Sequence, residues 1–436
     1  MNAFASGRAS GDGCGDGDTG DGRPWSLSVD FGTCFTTAAT AVADTTVADT
    51  TVAGTTVAGT AVGATMLEIE NSRCLPSVVA LAADGTPLTG RAALQRAVNR
   101  PDMTERAPKR ALVRQDAVLL GGRAVPTEEL AAAVLRRVRE AAVAAHGGTA
   151  PARTVLTHPV RWGAAELARL TRAAALAGIE EPELLPEPVA AALHHTRTAD
   201  LPEGACLAVY DLGGGTFDTA VLRRTADGFT TVAVGGDPDL GGEDLDDCLT
   251  DLLRERAVAR DPDPWKELTE STEPASTAQL ALLRREIVAA KEALSTAGSV
   301  EIAVPGYSEP FLLRAHEYRA AVAPLLTRSH EVLAATVAEA SVEPAALHAV
   351  VLTGGASRTP LISDLIAERE GRLPALSADP KATVALGALV SNAVTGQASS
   401  RTHRAEVAVR GPRYLRPDGD PDFEFGFGFD ADSYDD

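Results

Sequence analysis

The stretch VYDLGGGTFDTAVL, residues 209–222, joins a short apolar segment, an aspartate, three glycines and a second apolar segment. Residues 206–210 and 219–222 have the composition of buried strands, so the stretch predicts a strand, a glycine turn and a returning strand. A P-loop has a different order, because its glycine loop is followed by Lys-Ser/Thr and then by a helix. No lysine follows these glycines, which excludes the P-loop interpretation.

A glycine turn of this kind can still bind a phosphate group. Glycines have no Cβ atom, so consecutive backbone N–H groups can converge on an anion. Asp211, at the end of the first strand, would repel phosphate directly but can act through a cation such as Mg²⁺ held through water. The stretch therefore predicts a site for a metal-bound phosphate.

A second copy of this unit lies near the start of the chain. Residues 27–29 lead into Asp30-Phe31-Gly32-Thr33, and residues 36–39 can return as a strand. Two such units suggest two related lobes that present two glycine turns and two carboxylates to one polyphosphate. Strand-like and helix-like segments alternate through the rest of the chain, which is the pattern of an α/β fold.

Composition excludes several classes of function. The chain has 436 residues and a net charge of −20, and this charge argues against nucleic acid as a partner. Its five cysteines are scattered and odd in number, so we expect no disulfide framework and a reducing cytoplasm. No run of eighteen apolar residues and no signal peptide is present, so we expect no contact with a membrane.

Three segments have biased composition. Residues 1–24 predict a disordered leader, and residues 396–436 predict a disordered acidic tail. Residues 45–64 repeat a five-residue unit rich in Thr and Val, which predicts an expanded surface hairpin or loop, with a binding repeat as the alternative. Within the predicted tail, four phenylalanines at 423–429 alternate with acidic residues and glycine. The alternative to disorder is that this segment docks by strand addition on a partner or on a sheet edge of the chain itself.

Two helices are predicted between these segments. Thr127 can cap a helix over 128–145 that carries Glu128 and Glu129 in its first turn. Residues 165–178 form an apolar stripe at helical spacing and end at Gly178.

The motifs resemble those of the nucleotide-binding domain of the seventy-kilodalton heat-shock chaperones, the DnaK type within the actin-like ATPase superfamily. The resemblance runs from about residue 25 to 392 and includes VDFGTCFTTAA at 29–39, DLGGGTFD at 211–218, VVLTGGASRTPLI at 350–362 and DPKATVALGALV at 379–390. It implies a two-lobed α/β fold with duplicated ribonuclease-H-like sheets flanked by helices. Lobe I would span 25–204 with an insert at 45–64, lobe II 205–377, and a helix over 378–395 would return to lobe I.

The resemblance also implies roles for individual residues in binding ATP or ADP and in Mg²⁺-dependent hydrolysis. Asp30 and Asp211 would hold Mg²⁺ through water. The catalytic group would comprise Lys109 at the γ-phosphate, Glu187 and Asp218 orienting the attacking water or a second cation such as K⁺, and Thr216, whose backbone belongs to the turn around the phosphates. The remaining nucleotide contacts would be Gly32, Thr33, Cys34, Gly213, Gly214, Gly215, Gly242, Glu243, Lys291, Ser295, Gly354, Gly355 and Arg358.

Several positions depart from the family pattern. Cys34 and Phe35 stand where the family has a hydroxyl or an amide, and Lys381 replaces an aspartate. Val288 and Glu292 replace a ribose-binding Glu and a purine-stacking Arg, so the resemblance implies weaker adenosine binding but retained hydrolysis. After residue 393 the apolar linker and the peptide-binding β-sandwich of the family are not recognisable, so we do not expect peptide clamping by that module.

Two classes of function remain open from the sequence. The first is an ATP-hydrolysing, chaperone-like conformational switch with a protein client or co-chaperone as partner. The second is an actin-like scaffold or filament subunit that depends on ATP, and a small-molecule kinase of the same superfamily is a weaker third. Simpler interpretations also exist for single residues, since Lys109 could be a solvated surface lysine and Glu187 could merely suit a helix N-terminus.

Overall fold

The structure, a computed structural model, describes residues 23–42, 63–271, 273–377 and 379–390, and the backbone of 51–52 and 55–56. The predicted leader and tail, and most of the 45–64 repeat, lie outside the described residues. Within the repeat, Thr51–Val52 and Thr55–Thr56 pair as two short antiparallel strands.

The strands of the described residues are, in chain order, β1 Trp25–Phe31, β2 Phe35–Val42, β3 Thr51–Val52, β4 Thr55–Thr56, β5 Thr65–Met66, β6 Leu75–Pro76, β7 Val79–Leu81, β8 Pro87–Thr89, β9 Thr104–Glu105, β10 Ala117–Leu120, β11 Arg123–Pro126, β12 Arg153–His158, β13 Glu183–Pro186, β14 Cys206–Leu212, β15 Phe217–Thr225, β16 Gly228–Asp237, β17 Ser299–Ile302, β18 Phe311–Arg314, β19 Leu347–Thr353 and β20 Ala375–Leu376.

The helices of the described residues are α1 Gly90–Asn99, α2 Pro108–Arg114, α3 Thr127–Ala145, α4 Ala164–Leu176, α5 Glu187–His195, α6 Gly242–Arg260, α7 Pro262–Glu270, α8 Pro274–Leu294, α9 Ala315–Glu339, α10 Pro360–Glu370 and α11 Pro380–Ala388. Short 3₁₀ turns lie at Pro101–Met103, Pro344–Ala346 and Ala356–Arg358. None of these helices is both long and apolar enough to cross a membrane.

The first large sheet is built around β1. Its strand order is β13-β12-β1-β2-β5, with β6 also paired to β2. Strand β1 runs parallel to β12 and antiparallel to β2. Its side chains at 25, 27, 28, 29 and 31 are all buried, as expected for a central strand covered on both faces.

The second large sheet repeats this plan around β14. Its order is β16-β15-β14-β19-β20, and β14 runs antiparallel to β15 and parallel to β19. The registers correspond closely: Asp30 faces Thr37 across the first hairpin, and Asp211 faces Asp218 across the second. On the parallel side, Asp211 lies opposite Thr353, and the Thr157 hydroxyl donates a hydrogen bond to Asp30. The predicted α/β class with two duplicated sheets is thus confirmed.

Helices α5 and α11 connect the two sheets. A single hydrophobic cluster contains Val155 from the first sheet, Val209 from the second and alanines from both helices. The helices approach so closely at Gly387 that a Cβ there would lie 1.9 Å from the carbonyl oxygen of Ala190. Helix α11 is also bonded to the first sheet, because the Ser28 hydroxyl donates to the carbonyl of Ala385 at 2.6 Å.

Both predicted helices are present, but one predicted cap is wrong. Helix α4 is followed by Gly178 with a φ of +77°, as expected for a glycine that ends a helix. Helix α3 starts at Thr127 itself, with Pro126 in the capping position. The Thr127 hydroxyl instead donates to the carbonyls of Gln115 and Asp116, just before β10, at 3.0 and 3.3 Å.

Candidate functional site

Strands β1 and β14, which carry Asp30 and Asp211 next to their C-terminal ends, lead into one cavity of about 1000 Å³. The predicted site residues that line it are Asp30, Gly32, Thr33, Cys34, Lys109, Glu187, Asp211, Gly213, Gly214, Thr216, Asp218, Gly242, Glu243, Lys291, Ser295, Gly354, Gly355 and Arg358. Gly215 lies beside it, and its carbonyl accepts a hydrogen bond from Nη2 of Arg110 at 3.2 Å. Predicted site residues between Asp30 and Arg358 are therefore brought to one cleft.

The two strand-end aspartates are held in an unfavourable environment for negative charge. Burial, followed by the nearby carboxylate of Glu187, raises the pKa of Asp30 to about 6, although Lys109 and the hydroxyl of Thr157 oppose the shift. Burial and the carboxylates of Glu187, Asp218 and Asp30 raise the pKa of Asp211 well above its usual range. A cation placed between these carboxylates would relieve both the burial cost and the repulsion.

Lys109 is the cation closest to this carboxylate group. Its Nζ lies 2.6 Å from Oε1 of Glu187, and it also lies 5.6 Å from the centroid of the Trp162 ring. Burial alone would lower the pKa of Lys109, but the carboxylates of Glu187, Asp30 and Asp211 outweigh it and raise the pKa. The alternative interpretation of Lys109 as a solvated surface lysine does not fit this position, because its side chain is only 9% exposed.

The turns that follow the two aspartates present unpaired backbone N–H groups. Those of Thr33, Cys34, Gly214 and Gly215 find no hydrogen-bond acceptor among the described residues. The turns also pack tightly, since a Cβ on Gly214 would lie 2.2 Å from Sγ of Cys34. A side chain at 214 would therefore displace Cys34, and the converging N–H groups can bind an anion.

Asp218 already has a cation as a partner. Nε of Arg161 donates to its Oδ1 at 2.8 Å, and the Thr216 hydroxyl donates to its Oδ2 at 3.1 Å. Arg161 follows β12, the strand beside β1, so this ion pair joins the first half of the fold to the second. Nothing in the sequence around HPVRW indicated which carboxylate Arg161 would bind.

A second set of contacts crosses the cleft near the glycine turns. Nη2 of Arg110 lies 3.4 Å from Oε2 of Glu243, and the Cys34 thiol donates to Oε1 of the same residue at 3.7 Å. Burial, followed by the charge of Glu243, raises the pKa of the Cys34 thiol to about 12. Cys34 therefore stays a neutral thiol at physiological pH and does not add charge to the site.

The residues predicted to contact adenosine also line the cavity. Nζ of Lys291 donates to the carbonyl of Gly242 at 2.8 Å and lies 2.8 Å from Oδ1 of Asp246. Val288 and Glu292 are exposed on the same helix and line the cavity. Arg358 also lines the cavity, without an ion pair to any described residue.

The sequence interpretation missed Arg110, Arg161 and Asp246. Arg110 directly follows Lys109, and Asp246 lies one helical turn after Gly242, so the sequence shows a charged side chain next to a predicted site residue in both cases. Their partners were not, because Gly215 and Glu243 are more than 100 residues from Arg110 in the sequence. Only the paired sheets bring them together.

Comparisons with known proteins agree with this arrangement. The sequence profile of the family described as Hsp70 protein matches residues 50–404. The chaperone protein HscA homolog of Azotobacter vinelandii (strain DJ / ATCC BAA-1303) is 34% identical over 351 residues, which cover 74% of this chain and 53% of the relative. The chaperone protein HscA of Pectobacterium carotovorum subsp. carotovorum (strain PC1) is 34% identical over 262 residues, covering 60% of this chain and 40% of the relative.

The chain thus spans 53% or less of the length of these curated relatives. The profile match starts after the first hairpin, so the equivalence of Asp30 and Asp211 rests on the strand register. The matched region nevertheless contains most of the chain, including the second hairpin, Lys109, Glu187 and Arg358. On these grounds the chain belongs to the Hsp70 family.

Proposed function

We propose that this chain binds ATP and ADP with Mg²⁺ in the cleft and hydrolyses ATP. One observation carries the proposal: two equivalent hairpins place Asp30 and Asp211 on the same cavity, together with the buried Lys109–Glu187 pair. A polyphosphate with its metal is a ligand that needs carboxylates, free N–H groups and a lysine in one place.

The carboxylate pair fits a hydrated divalent cation. Burial and the nearby carboxylate of Glu187 raise the pKa values of Asp30 and Asp211, and the ammonium of Lys109 opposes these shifts only in part. These two residues would hold Mg²⁺ through its water ligands, which suits an ion that gives up its water reluctantly. When bound, the metal would offset the negative charge of the phosphates.

The phosphates would lie against the two turns. The unpaired N–H groups of Thr33, Cys34, Gly214 and Gly215 would bind phosphate oxygens. Lys109 would donate from Nζ to the terminal phosphate, where negative charge develops during transfer. Glu187, which holds Lys109 in place, and Asp218 with Thr216 would orient the attacking water.

The nucleoside would lie between Arg358 and α8. A guanidinium can stack on a purine face, which suits the unpaired Arg358. Lys291 and Ser295 would supply polar contacts from the opposite wall. Val288 and Glu292 offer neither a ribose-binding carboxylate at 288 nor a stacking cation at 292, so we expect weaker adenosine binding than in the family pattern.

Hydrolysis would serve a chaperone-like conformational switch. The relatives from Azotobacter and Pectobacterium are named as chaperones, which supports a protein client or co-chaperone as partner. The contacts of Glu243 with Arg110 and Cys34 cross the cleft, so a nucleotide that alters the distance between the walls would change them.

The four described cysteines, all free thiols, support a cytoplasmic location.

The proposal is tested by calorimetric titration with ATP and ADP in Mg²⁺ buffer, followed by single-turnover phosphate release. Lys109→Ala should keep nucleotide binding and reduce turnover by about 100-fold or more, because it removes charge at the transferred phosphate. Asp211→Asn should weaken binding only when Mg²⁺ is present. The matched control is Lys266→Ala on the exposed face of α7. An absence of heat with either nucleotide would reject the proposal.

A further inference from the structure

Lys381 occupies a fixed position at the start of α11. Its amide donates to Oδ1 of the capping residue Asp379 at 3.2 Å, and its carbonyl accepts a hydrogen bond from the Thr37 hydroxyl at 3.1 Å. Thr37 lies in β2, directly opposite Asp30. The backbone of Lys381 is therefore held beside the first of the two Asp-ended hairpins.

The side chain of Lys381 runs along the cavity wall. A Cβ on Gly355 would lie 2.8 Å from Cε of Lys381, so the alkyl stem covers the Gly354–Gly355 turn. Nζ lies 4.7 Å from the centroid of the Phe35 ring, at the end of the first glycine turn. Lys381, Phe35 and Gly355 all line the cavity, so the ammonium stands between two turns that face the cleft.

This ammonium has no carboxylate partner among the described residues. The chain contains only four lysines, at 109, 266, 291 and 381, and three of them line the cavity. The other two in the cavity are neutralised, Lys109 by Glu187 and Lys291 by Asp246. Contact with the Phe35 ring orients Lys381 but does not neutralise it, so the group remains available to an anion.

The position along the cavity indicates which part of a nucleotide the ammonium would meet. The Gly355 carbonyl accepts a hydrogen bond from the backbone N–H of Arg358 at 3.4 Å, so the turn that lies under the Lys381 stem also carries Arg358. Arg358 lies at the proposed nucleoside end, whereas Lys109 lies with Glu187 at the proposed terminal-phosphate end. The N–H group of Gly355, beneath the lysine stem, also has no acceptor among the described residues.

We propose that Lys381 is a phosphate-binding residue that contacts the phosphates nearest the nucleoside, which ATP and ADP share. This inference rests on the proposed nucleotide site. A compact ammonium with three donors can bind phosphate oxygens from the wall that carries the Gly354–Gly355 turn. It adds a positive charge from α11, a helix that also joins the two sheets.

The test measures the affinity of the full chain for ATP, ADP and adenosine, with adenosine measured by displacement of a fluorescent ADP derivative. Lys381→Met keeps an alkyl stem and removes the charge. We expect the affinities for ATP and ADP to fall by about tenfold each, because one charge-assisted hydrogen bond is lost, and the affinity for adenosine to stay the same. Lys381→Arg should restore most of the loss, and Lys266→Met is the control for a lysine charge removed elsewhere.

The possible outcomes separate this inference from the proposed function. If the unmodified chain binds none of the ligands, the proposed function fails and this inference fails with it. If it binds ATP and ADP and Lys381→Met binds them equally well, this inference alone is overturned. An equal loss for adenosine would show that Lys381 acts only through packing on Gly355, and would also overturn it.

Discussion

Nζ of Lys109 lies 2.6 Å from Oε1 of Glu187, and both side chains are about one-tenth exposed. The two residues begin separate helices: Lys109 is the second residue of α2, and Glu187 is the first residue of α5. Asp30 and Asp211 also act on Lys109 electrostatically. The lysine thus compensates three carboxylates, while Glu187 compensates one cation and repels two anions.

This asymmetry predicts unequal effects on stability. Lys109→Met should lower the free energy of unfolding by about 3 kcal/mol, because it leaves several buried carboxylates without a cation. Glu187→Gln should cost about 1 kcal/mol or less, because the lost ion pair is offset by relief of repulsion with Asp30 and Asp211. Urea unfolding at pH 7 without nucleotide measures both values.

The double variant Lys109→Met/Glu187→Gln provides the control for coupling. It should be more stable than the sum of the two single changes implies, since the uncompensated Glu187 charge is also gone. Strict additivity would mean that the two side chains do not interact energetically, and would contradict this account of the site.

The raised pKa of Asp30 predicts how stability depends on pH. Its folded value of about 6 exceeds the ordinary value of 3.8, so the folded state holds this proton more tightly than the unfolded chain does. The stabilisation that this tighter proton binding gives the folded state is fully present below about pH 4 and is lost as the pH rises through 6. Asp30→Asn should therefore be more stable than the unmodified chain at pH 8, by up to about 3 kcal/mol, with the difference closing towards pH 4.

Urea unfolding between pH 4 and 8, without Mg²⁺ or nucleotide, measures this difference. Glu203→Gln removes a carboxylate from an exposed turn and should change stability little at any pH. If Asp30→Asn is less stable than the unmodified chain at pH 8, the carboxylate is stabilised rather than strained in the folded state. Adding Mg²⁺ with ADP should stabilise the unmodified chain more than Asp30→Asn.

The ion pair between Arg161 and Asp218 predicts the response to monovalent cations. Both oxygens of Asp218 are engaged, by the guanidinium and by the Thr216 hydroxyl, so a guanidinium occupies the place where K⁺ could neutralise this carboxylate. We expect equal turnover in K⁺ and Na⁺ for the unmodified chain. Arg161→Gln should reduce turnover by about tenfold in Na⁺, because one positive charge near the reacting phosphate is removed, and K⁺ should restore part of it.

Phosphate release in matched K⁺ and Na⁺ buffers tests this expectation. Arg254→Gln removes an exposed arginine that pairs with Asp251 on α6, and should leave turnover unchanged in both salts. A clear preference of the unmodified chain for K⁺ would show that Arg161 does not fulfil this role.

The hairpins that carry Asp30 and Asp211 could be predicted from the sequence, because strand, turn and returning strand are adjacent in the chain. Local signals of this kind depend on residue spacing and on glycines, both of which can be read directly. The same applies to α3, predicted from its start signal and the two glutamates of its first turn, and to α4, predicted from its apolar spacing. Both helices span nearly the predicted residues.

The partners of the charged side chains could not be predicted in this way. Thr157 meets Asp30 because β12 runs parallel to β1, and Arg161 meets Asp218 because the two sheets face one cavity. Such pairs depend on connections over more than 50 residues. The prediction that Thr127 caps α3 was wrong for a related reason. The Thr127 hydroxyl donates to a carbonyl of a neighbouring segment, and local spacing does not reveal this contact.

The crossing of α5 and α11 at Gly387 predicts a position where even one methyl group is too large. In Gly387→Ala the new Cβ would lie 1.9 Å from the carbonyl oxygen of Ala190, so the helices must separate and disturb the cluster that joins both sheets. We expect a loss of about 2–3 kcal/mol in the free energy of unfolding, as for other overpacked interiors. Gly298→Ala is the matched control, because nothing lies within 4 Å of a Cβ there. Equal urea midpoints for the two variants would show that α5 and α11 can move apart at no cost, and that their contact does not hold the sheets together.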